Sequence, residues 1–566
     1  MPYLALPVLT GFLRSHGIEV IQRDLNLETY DTVLSRANLE QALNRLHAEF
    51  PQGRHRTLPE KIEWAFAEGP HLAAQINTAK DVFRSPAFYE GEKSLAAFSV
   101  IMQSLELASL PFHPAQLDFL YYTSTSRGDS SRDLLQGVRD AKHNLFLDLF
   151  KRGILADIVR DKPDIVGISI PTEGQMLAAM TLAYLVKQTG LNCHITIGGP
   201  HVSMLREQIP HAPRLFDLID SAVIFDGEEP LLQMAKALES NRDLSHIPNL
   251  IYRDAEQICA TEPTSPTLPY SHTPAPDFDG LPLERYFVPE LVLPLVSAHG
   301  CYHGLCAFCN VGYGAGKGFA PMQVEQLIEQ ITTLQNKYGV RYIFFTDEAM
   351  PPRTMRLLST RLAEIGSPIN WCTCARFEKV ITSELLQTMA RGGCRMVFYG
   401  LETASERMVK LIVKGTEGQT VSRILKEGTA AGIWNHTFLF FGFPTETIDD
   451  AQDTVNFLYA HQDSIHSAGV GTFVLERYSP VHLDPTRYGV TRIIAKPERD
   501  LAIYFDYELE SGMDESMAKT VLGHFVNALP DKRFGQYYTH DVHRFLFASH
   551  LHAQGKPYPV WLTSGG

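Results

Sequence analysis

Three thiols stand close together at Cys301, Cys306 and Cys309, in the stretch "GCYHGLCAFCNVGYGAGKGF" over 300–319. A C-x4-C-x2-C loop has four uses: a disulfide, a structural zinc ion, an iron-sulfur cluster, or plain buried packing. An odd number of thiols leaves one over from any disulfide. Zinc needs a fourth donor, and His303 lies between the first two cysteines, an awkward place from which to close a tetrahedron. A four-iron cluster normally takes four thiolates, so three leave one iron with an open position where a small molecule can bind. The cluster is the favoured reading and zinc its rival. The glycines that follow, Gly312, Gly314, Gly316 and Gly318, fail as a phosphate loop because Gly318 stands where Ser or Thr should follow Gly316-Lys317. They suit a turn that lets backbone wrap a cluster.

Such a loop needs a frame. Six strand-like runs, 290–298, 340–345, 369–375, 395–400, 436–442 and 469–475, alternate with helical patterns, which predicts a partial or full parallel βα barrel. In the clearest helix, 321–338, Pro321 suits the first turn and Val324, Leu327, Ile328, Ile331 and Leu334 share one face. Parallel α/β folds place their chemistry at the carboxyl ends of the strands. There the sequence has the cysteine triplet, then Asp347 and Glu348, then Arg376, then Glu402, then Phe443, Pro444, Thr445 and Glu446, and last Glu476, Arg477 and Tyr478. Tyr478 is the candidate catalytic side chain, with a tyrosine that only roofs the core as the alternative.

Upstream, β-rich runs at 18–25, 164–170, 193–199 and 221–227 alternate with helices such as 176–190, closed by Gly190; this predicts a doubly wound parallel sheet. Residues 30–160 look mostly helical, and 261–290, dense in Pro, Ser and Thr, reads as a linker. The expected division is an N-terminal Rossmann-like domain over 1–260, the linker over 261–290, a βα barrel over 291–480 and a small α-rich region over 481–566.

Across 566 residues, 50 Lys and Arg face 64 Asp and Glu, a net charge of −14 without a basic arm, which argues against a nucleic-acid binder. No apolar run reaches the roughly 18 residues that cross a bilayer, and the start lacks the basic region of a signal peptide, so the expected compartment is the cytoplasm, away from membranes. The eight cysteines are sparse and uneven, as in a reducing compartment. Cys372, Cys374 and Cys394 read as buried thiols, His436 as a strand residue, and the histidines of 539–552 as helix residues without a metal motif.

Taken as a set, "CYHGLCAFCN", "FTDEAMPP" (345–352), "CARFE" (374–378), "FYGLETASERMVKLIVKG" (398–415) and "GIWNHTFLFFGFPTET" (432–447) resemble the radical S-adenosylmethionine (SAM) enzymes. The resemblance implies that Cys301, Cys306 and Cys309 ligate a 4Fe-4S cluster whose open iron chelates SAM, with one electron then yielding a 5'-deoxyadenosyl radical. Phe308 would pack near the adenine, and Phe443 and Pro444 would border it. Glu402 and Arg376 would contact the ribose or the methionine end, while Asp347 and Glu348 line the same pocket. A zwitterionic cofactor needs both a carboxylate and a guanidinium.

The four-residue first gap is similar to that of cobalamin-associated members. The upstream region also looks like their cobalamin-binding domain, through "LTGFLRSHGIEVIQRDLNLE" (9–28), "PDIVGISIPT" (163–172), "TIGGPHVS" (196–203) and "FDGEEPLL" (225–232). Ser169, Thr172, Gly198, Gly199, Pro200, His201, Gly227 and Glu228 would then lie near the corrin and its nucleotide tail. No D-x-H-x-x-G segment offers a histidine to cobalt, and the chain opens at what should be the first helix, without the strand before it. The resemblance implies a methyltransferase acting on an unactivated carbon of a small molecule or peptide, with cluster, SAM and cobalamin as cofactors and an external donor of flavodoxin or ferredoxin type. The alternatives are a radical SAM cyclase or oxidoreductase without methyl transfer, and a non-catalytic cobalamin-binding sensor or scaffold.

Overall fold

The computed structural model describes residues 1–50, 58–240, 243–264, 273–311, 318–528 and 540–555. Its frame is two large sheets; the region over 481–566, expected to be α-rich, instead completes a three-stranded antiparallel sheet of Leu475–Glu476, Tyr504–Leu509 and Val490–Ile494 before its helices Glu515–Ala528 and Asp541–Ala553. The first large sheet contains β1 (Ile165–Ser169), β2 (His194–Gly198), β3 (Ser221–Val223), β4 (Leu250–Asp254) and β5 (Gln257–Ala260), in that spatial order. β1 to β3 are parallel, but β3–β4 and β4–β5 pair antiparallel, so the sheet is mixed where an all-parallel one was predicted. For β4 and β5 the physical reason is local: they form a hairpin turned at Ala255, whose φ is +51°, and a hairpin is necessarily antiparallel.

Residues 18–25, expected as a strand, join no ladder, and Leu25 already begins a helix. Side chains hold this extended segment instead: Gln22 Nε2 donates to the carbonyls of Asp277 (2.7 Å) and Asp279 (2.9 Å), and Asp24 caps helix Leu25–Val33 through Leu27 N (3.1 Å). The same contacts revise the expected linker. Residues 265–272 lie outside the described part, but from 273 onward the segment is pinned: Phe278 is buried, Arg14 pairs with Asp277 at 2.9 Å, and Tyr286 Oη donates to Asp24 at 2.6 Å. Proline density reported extended chain there and was silent about its anchors.

Among the described residues the 30–160 region is mostly helical, broken by one two-residue ladder of Gln116–Leu117 against Tyr122–Thr123. One helix, Gly91–Phe112, is long and apolar enough to cross a membrane by length and composition alone. Its Ile101 and Leu105 are wholly buried, packed with Ile62 and Ile76 of helix Pro59–Phe83.

The second sheet contains β6 (Val292–Leu295), β7 (Tyr342–Phe345), β8 (Asn370–Ala375), β9 (Cys394–Glu402), β10 (Trp434–Phe441) and β11 (Ser467–Thr472). All six are parallel and neighbours in sequential order, each at a predicted run. The helix after β6 starts at Val324; Pro321 belongs instead to a two-residue ladder, Ala298–His299 against Ala320–Pro321, which closes the base of the cysteine loop. Alternation along the strands makes two faces. Leu293, Ile343, Trp371 and Val397 pack under the flanking helices, while Phe344, Cys372, Met396 and Trp434 form one row of the opposite face. Cys374, Phe398, His436 and Ser467 form the next row.

Helix Asp541–Ala553 covers that opposite face, with Phe545 5.9 Å from the Tyr342 ring and Phe547 6.2 Å from Trp434. Its histidines are packing residues: His543 Nε2 donates to the Phe287 carbonyl at 2.6 Å, and His550 stacks on Tyr89 at 3.9 Å. His436 is fully buried with Nδ1 2.7 Å from Ser467 Oγ. The same hydroxyl accepts from Trp434 Nε1 at 2.9 Å, and burial lowers the His436 pKa well below its ordinary value, which favours the neutral ring.

Candidate functional site

The cysteine loop leaves the end of β6 through a fixed hinge. Asp347, just past β7, is 3% exposed and accepts from Ser297 N with both oxygens (3.1 Å each) and from Ser297 Oγ (2.5 Å). The expected role of Asp347 in lining the cofactor pocket is therefore revised: its carboxylate is spent on the loop's root. Beyond the hinge, Gly300 and Gly304 have φ of +69° and +61°, conformations that L side chains resist. Cys309 N donates to the Cys306 carbonyl at 3.1 Å, folding the last two cysteines into one turn. Gly312, Gly314 and Gly316 lie outside the described residues.

All three thiols are unbridged, with Cys306 buried and Cys301 and Cys309 half-buried. Burial pushes the Cys309 thiol up to about 12; burial also raises Cys306, against the pull of Lys414 and Arg376. Among the described residues no three His, Cys, Asp or Glu side chains converge closely enough for a single metal ion. His303 is committed elsewhere, its Nε2 donating to the Val413 carbonyl at 2.8 Å. Three thiolates whose nearby histidine is already committed fit an iron-sulfur cluster better than a tetrahedral zinc.

Arg376 and Glu402 face this loop. Arg376 Nη1 lies 3.8 Å from Cys306 Sγ, while Nε reaches Glu378 at 3.3 Å and Nη2 donates to the Lys414 carbonyl at 2.5 Å. Glu402, at the end of β9, has φ +62° and only 8% exposure, and Lys414 Nζ donates to its Oε1 at 2.7 Å. Burial acts to lower the Lys414 pKa, but Glu402 and Cys306 more than offset it and the ammonium is held charged. Lys414 is not among the strand-end candidates, because it follows an intervening helix, Glu406–Leu411. The usable signal was a lysine beside a glycine within "IVKG", in the segment already singled out.

Phe308 meets Phe440 edge-on at 5.0 Å and lies 5.8 Å from Lys414 Nζ. Phe443, expected to border the adenine, turns into the core at 1% exposure, packed on Phe473 and Tyr488 behind Ala307, and Pro444 is buried beside it. Phe440 takes the place nearer the loop because β10 alternation points it to the inner face. Glu348 is open to the mouth, where the surrounding walls still desolvate and raise its carboxyl. Glu476 is pushed up to about 6 by burial, with Asn310 opposing and Glu348 adding to the shift.

Tyr478 does not occupy the open position that a catalytic role needs. It is 7% exposed, at φ +66°, with the Arg206 guanidinium 3.8 Å from its ring centroid and Arg477 at 5.9 Å. The cation covers the ring, so Tyr478 is a joint between the two sheets.

That joint matters because both sheets present their carboxyl ends to one another. Ser169 and Gly198 end β1 and β2, and Ile170 N donates to the Gly198 carbonyl at 2.8 Å. Gly199 has φ +102°, and a Cβ there would come 2.8 Å from the Ile170 carbonyl, so only glycine fits. Pro200 and His201 open helix Pro200–Met204; Thr172 precedes a 3-10 turn, and Gly227 precedes Glu228 at the start of helix Glu228–Glu239. His201 is 2% exposed, both ring nitrogens are without a partner, and burial lowers its pKa to about 4. Met204, at the end of the Pro200 helix, receives a hydrogen bond on its sulfur from Asn310 Nδ2 at 3.3 Å, one residue past Cys309. The cysteine loop and the glycine edge of the first sheet thus meet at this contact.

A parallel βα sheet with a thiol triplet at its mouth defines the class, and residues 295–458 match the radical SAM superfamily. Residues 295–458 thus carry a radical SAM domain, and the chain is similar to several proteins beyond it. It is 28% identical over 345 residues to an uncharacterized methyltransferase of Pyrococcus horikoshii, covering 60% of this chain and 72% of that one. It is 23% identical to cytidylyl-2-hydroxyethylphosphonate methyltransferase of Streptomyces wedmorensis, over 56% and 65% of the two chains. Among solved structures it resembles the radical SAM methyltransferase TsrM of Kitasatospora setae, solved with cobalamin and a 4Fe-4S cluster (TM-score 0.56, 16% identity, 73% and 89% coverage). It also resembles the cobalamin-dependent radical SAM enzyme OxsB (TM-score 0.52, 17% identity, 66% and 60% coverage).

Proposed function

We propose that this protein is a cobalamin-dependent radical SAM methyltransferase that methylates an unactivated carbon of a small molecule or peptide. The observation that carries the reading is the apposition of the two carboxyl edges through Asn310 and Met204, thiols on one side and a small-residue ledge on the other. When bound, the cluster with SAM supplies radical chemistry and cobalamin a methyl carrier. Cys301, Cys306 and Cys309 would hold the cluster, and Arg376 and Glu402 the charged ends of SAM, beside Phe308 and Glu348. The glycine ledge of the first sheet, Ser169, Thr172, Gly198, Gly199, Pro200, Gly227 and Glu228, would take the corrin, with the orphaned His201 nitrogens as buried polar groups available to its amide rim. We read residues 1–260 as a Rossmann-like cobalamin domain and 291–480 as a partial (β/α)6 barrel. The reaction would run in the cytoplasm with a flavodoxin- or ferredoxin-type donor, without nucleic acid or membrane.

Relatives named as methyltransferases support methyl transfer, as does TsrM, solved also with a tryptophan substrate and a SAM analogue. A second reading, rearrangement without methyl transfer, is favoured by a 22% identical relative, 4'-phospho-dehydrooxetanocin synthase of Priestia megaterium. The test is anaerobic purification, reconstitution with iron, sulfide and cobalamin, and incubation with SAM and reductant. The expected result is iron-sulfur and corrin absorbance together, with 5'-deoxyadenosine and S-adenosylhomocysteine both formed. 5'-Deoxyadenosine alone favours the second reading; corrin bands with neither product point to a sensor; loading with zinc but no iron overturns both enzymatic readings.

A further inference from the structure

The segment after helix Glu406–Leu411 makes contacts out of proportion to its length. Three consecutive carbonyls accept from three different parts of the site: Ile412 from Ala307 N at 2.9 Å, Val413 from His303 Nε2 at 2.8 Å, and Lys414 from Arg376 Nη2 at 2.5 Å. The backbone can aim them so because Val413 (φ +54°) and Gly415 (φ +70°) are both left-handed. Val413 is β-branched and Gly415 stands 3.7 Å, by its missing Cβ, from both Arg376 and His303. A β-branched residue in this conformation is strained, and strain of this kind persists only where the surroundings over-determine it. The Lys414 side chain leaves in another direction, to Glu402. Gly400 permits that pairing, since a Cβ there would overlap the Glu402 carboxylate and the Lys414 ammonium.

We propose that Ile412–Gly415 is a latch that registers the cysteine loop against Arg376 and Glu402, with Lys414 and His303 as its positioning residues. The inference rests on the cluster reading given above. His303 sits in the wider of the two gaps between cysteines, so its bond to Val413 anchors the part of the loop that the turn at Cys306 and Cys309 does not hold. Lys414 neutralises Glu402 and fixes where that carboxylate points, while its carbonyl fixes the guanidinium opposite. Neither residue needs to touch a cofactor to set the distance between thiols and charged groups. Outer partners of a metal site commonly change affinity by about 10–100-fold when removed.

The test compares wild type, Lys414→Met, Lys414→Arg, His303→Ala and His303→Gln after anaerobic reconstitution, reading iron and sulfide per chain, the EPR spectrum of the reduced cluster, and its change on adding SAM. Lys414→Met is expected to load iron as wild type does but to bind SAM about tenfold or more weakly, with the SAM-induced EPR change lost. Lys414→Arg keeps the cation and is expected to restore most of that change. His303→Ala is expected to shed its cluster faster, and His303→Gln, whose amide can still donate to Val413, to hold it. Wild-type SAM affinity and an unaltered EPR response in Lys414→Met overturn the latch. So does cluster retention unaffected in His303→Ala. Wild type that takes up no iron overturns the cluster reading itself, and the latch with it. If Lys414→Met does not fold, a Lys414→Arg variant with no EPR response overturns the positioning role.

Discussion

Asp347 is a carboxylate with almost no water, held by one serine. Burial lifts its pKa to about 6 against the hydrogen bonds from Ser297, well above an unfolded value of roughly 3.9. The folded state therefore binds the proton more tightly, so this contribution to stability is full below about pH 4 and is lost as pH rises through 6. A shift of this size corresponds to about 3 kcal/mol. Asp347→Asn, which cannot titrate, should lose less stability than wild type between pH 5 and pH 7.5 in denaturant melts; parallel profiles would count against the assignment. Gly400→Ala tests the neighbouring cation and carboxylate. The added methyl displaces Glu402 or Lys414 and should cut 5'-deoxyadenosine formation about tenfold or more, roughly 1.4 kcal/mol, with the thermal melt little changed.

At the scale of elements, helix Asp541–Ala553 is the piece whose removal the second sheet should feel most. Phe545 is wholly buried between Tyr342 and Phe344, so Phe545→Ala should cost about 3 to 5 kcal/mol in chemical denaturation. Leu483→Ala, at a residue 64% exposed, should stay within about 0.5 kcal/mol. This covering helix was invisible as such in the sequence, because its apolar residues look like those of any amphipathic helix. The six strands of the second sheet were legible for the opposite reason. Each is a short apolar run fed by a helix with its own periodicity, so two signals agree. Where only one signal existed, as in "IEVIQRDL", alternation alone suggested a strand that side-chain bonds from Gln22 make unnecessary. The thiols, Arg376 and Glu402 followed from strand ends. Phe443, Tyr478 and Lys414 depended on which way a side chain turns after the strand, and no local pattern encodes that.

At the scale of the molecule, the N-terminal and C-terminal parts of the chain meet through residues far apart in sequence. Arg206 lies on the Tyr478 ring, Arg499 pairs with Asp129, Leu501 N donates to the Asp129 carbonyl at 2.9 Å, and Ser131 N donates to Asp500 at 2.8 Å. Tyr478 tests whether this joint is mechanical. Tyr478→Phe keeps the ring under Arg206 and should turn over within about twofold of wild type, whereas Tyr478→Ala should lose ring and cation contact together and fall about tenfold. Loss of turnover in Tyr478→Phe would return the hydroxyl to the chemistry.

The covering helix has a further consequence, in the order of events rather than in their energy. β11 ends at Thr472, yet the inner face of the sheet acquires part of its lining only with Phe545 and Phe547, and the same helix touches Phe83 and Phe88 near the other end of the chain. Contacts of such sequence separation form late, because the intervening chain must be ordered first. The strands can therefore pair before helix Asp541–Ala553 comes to cover that face.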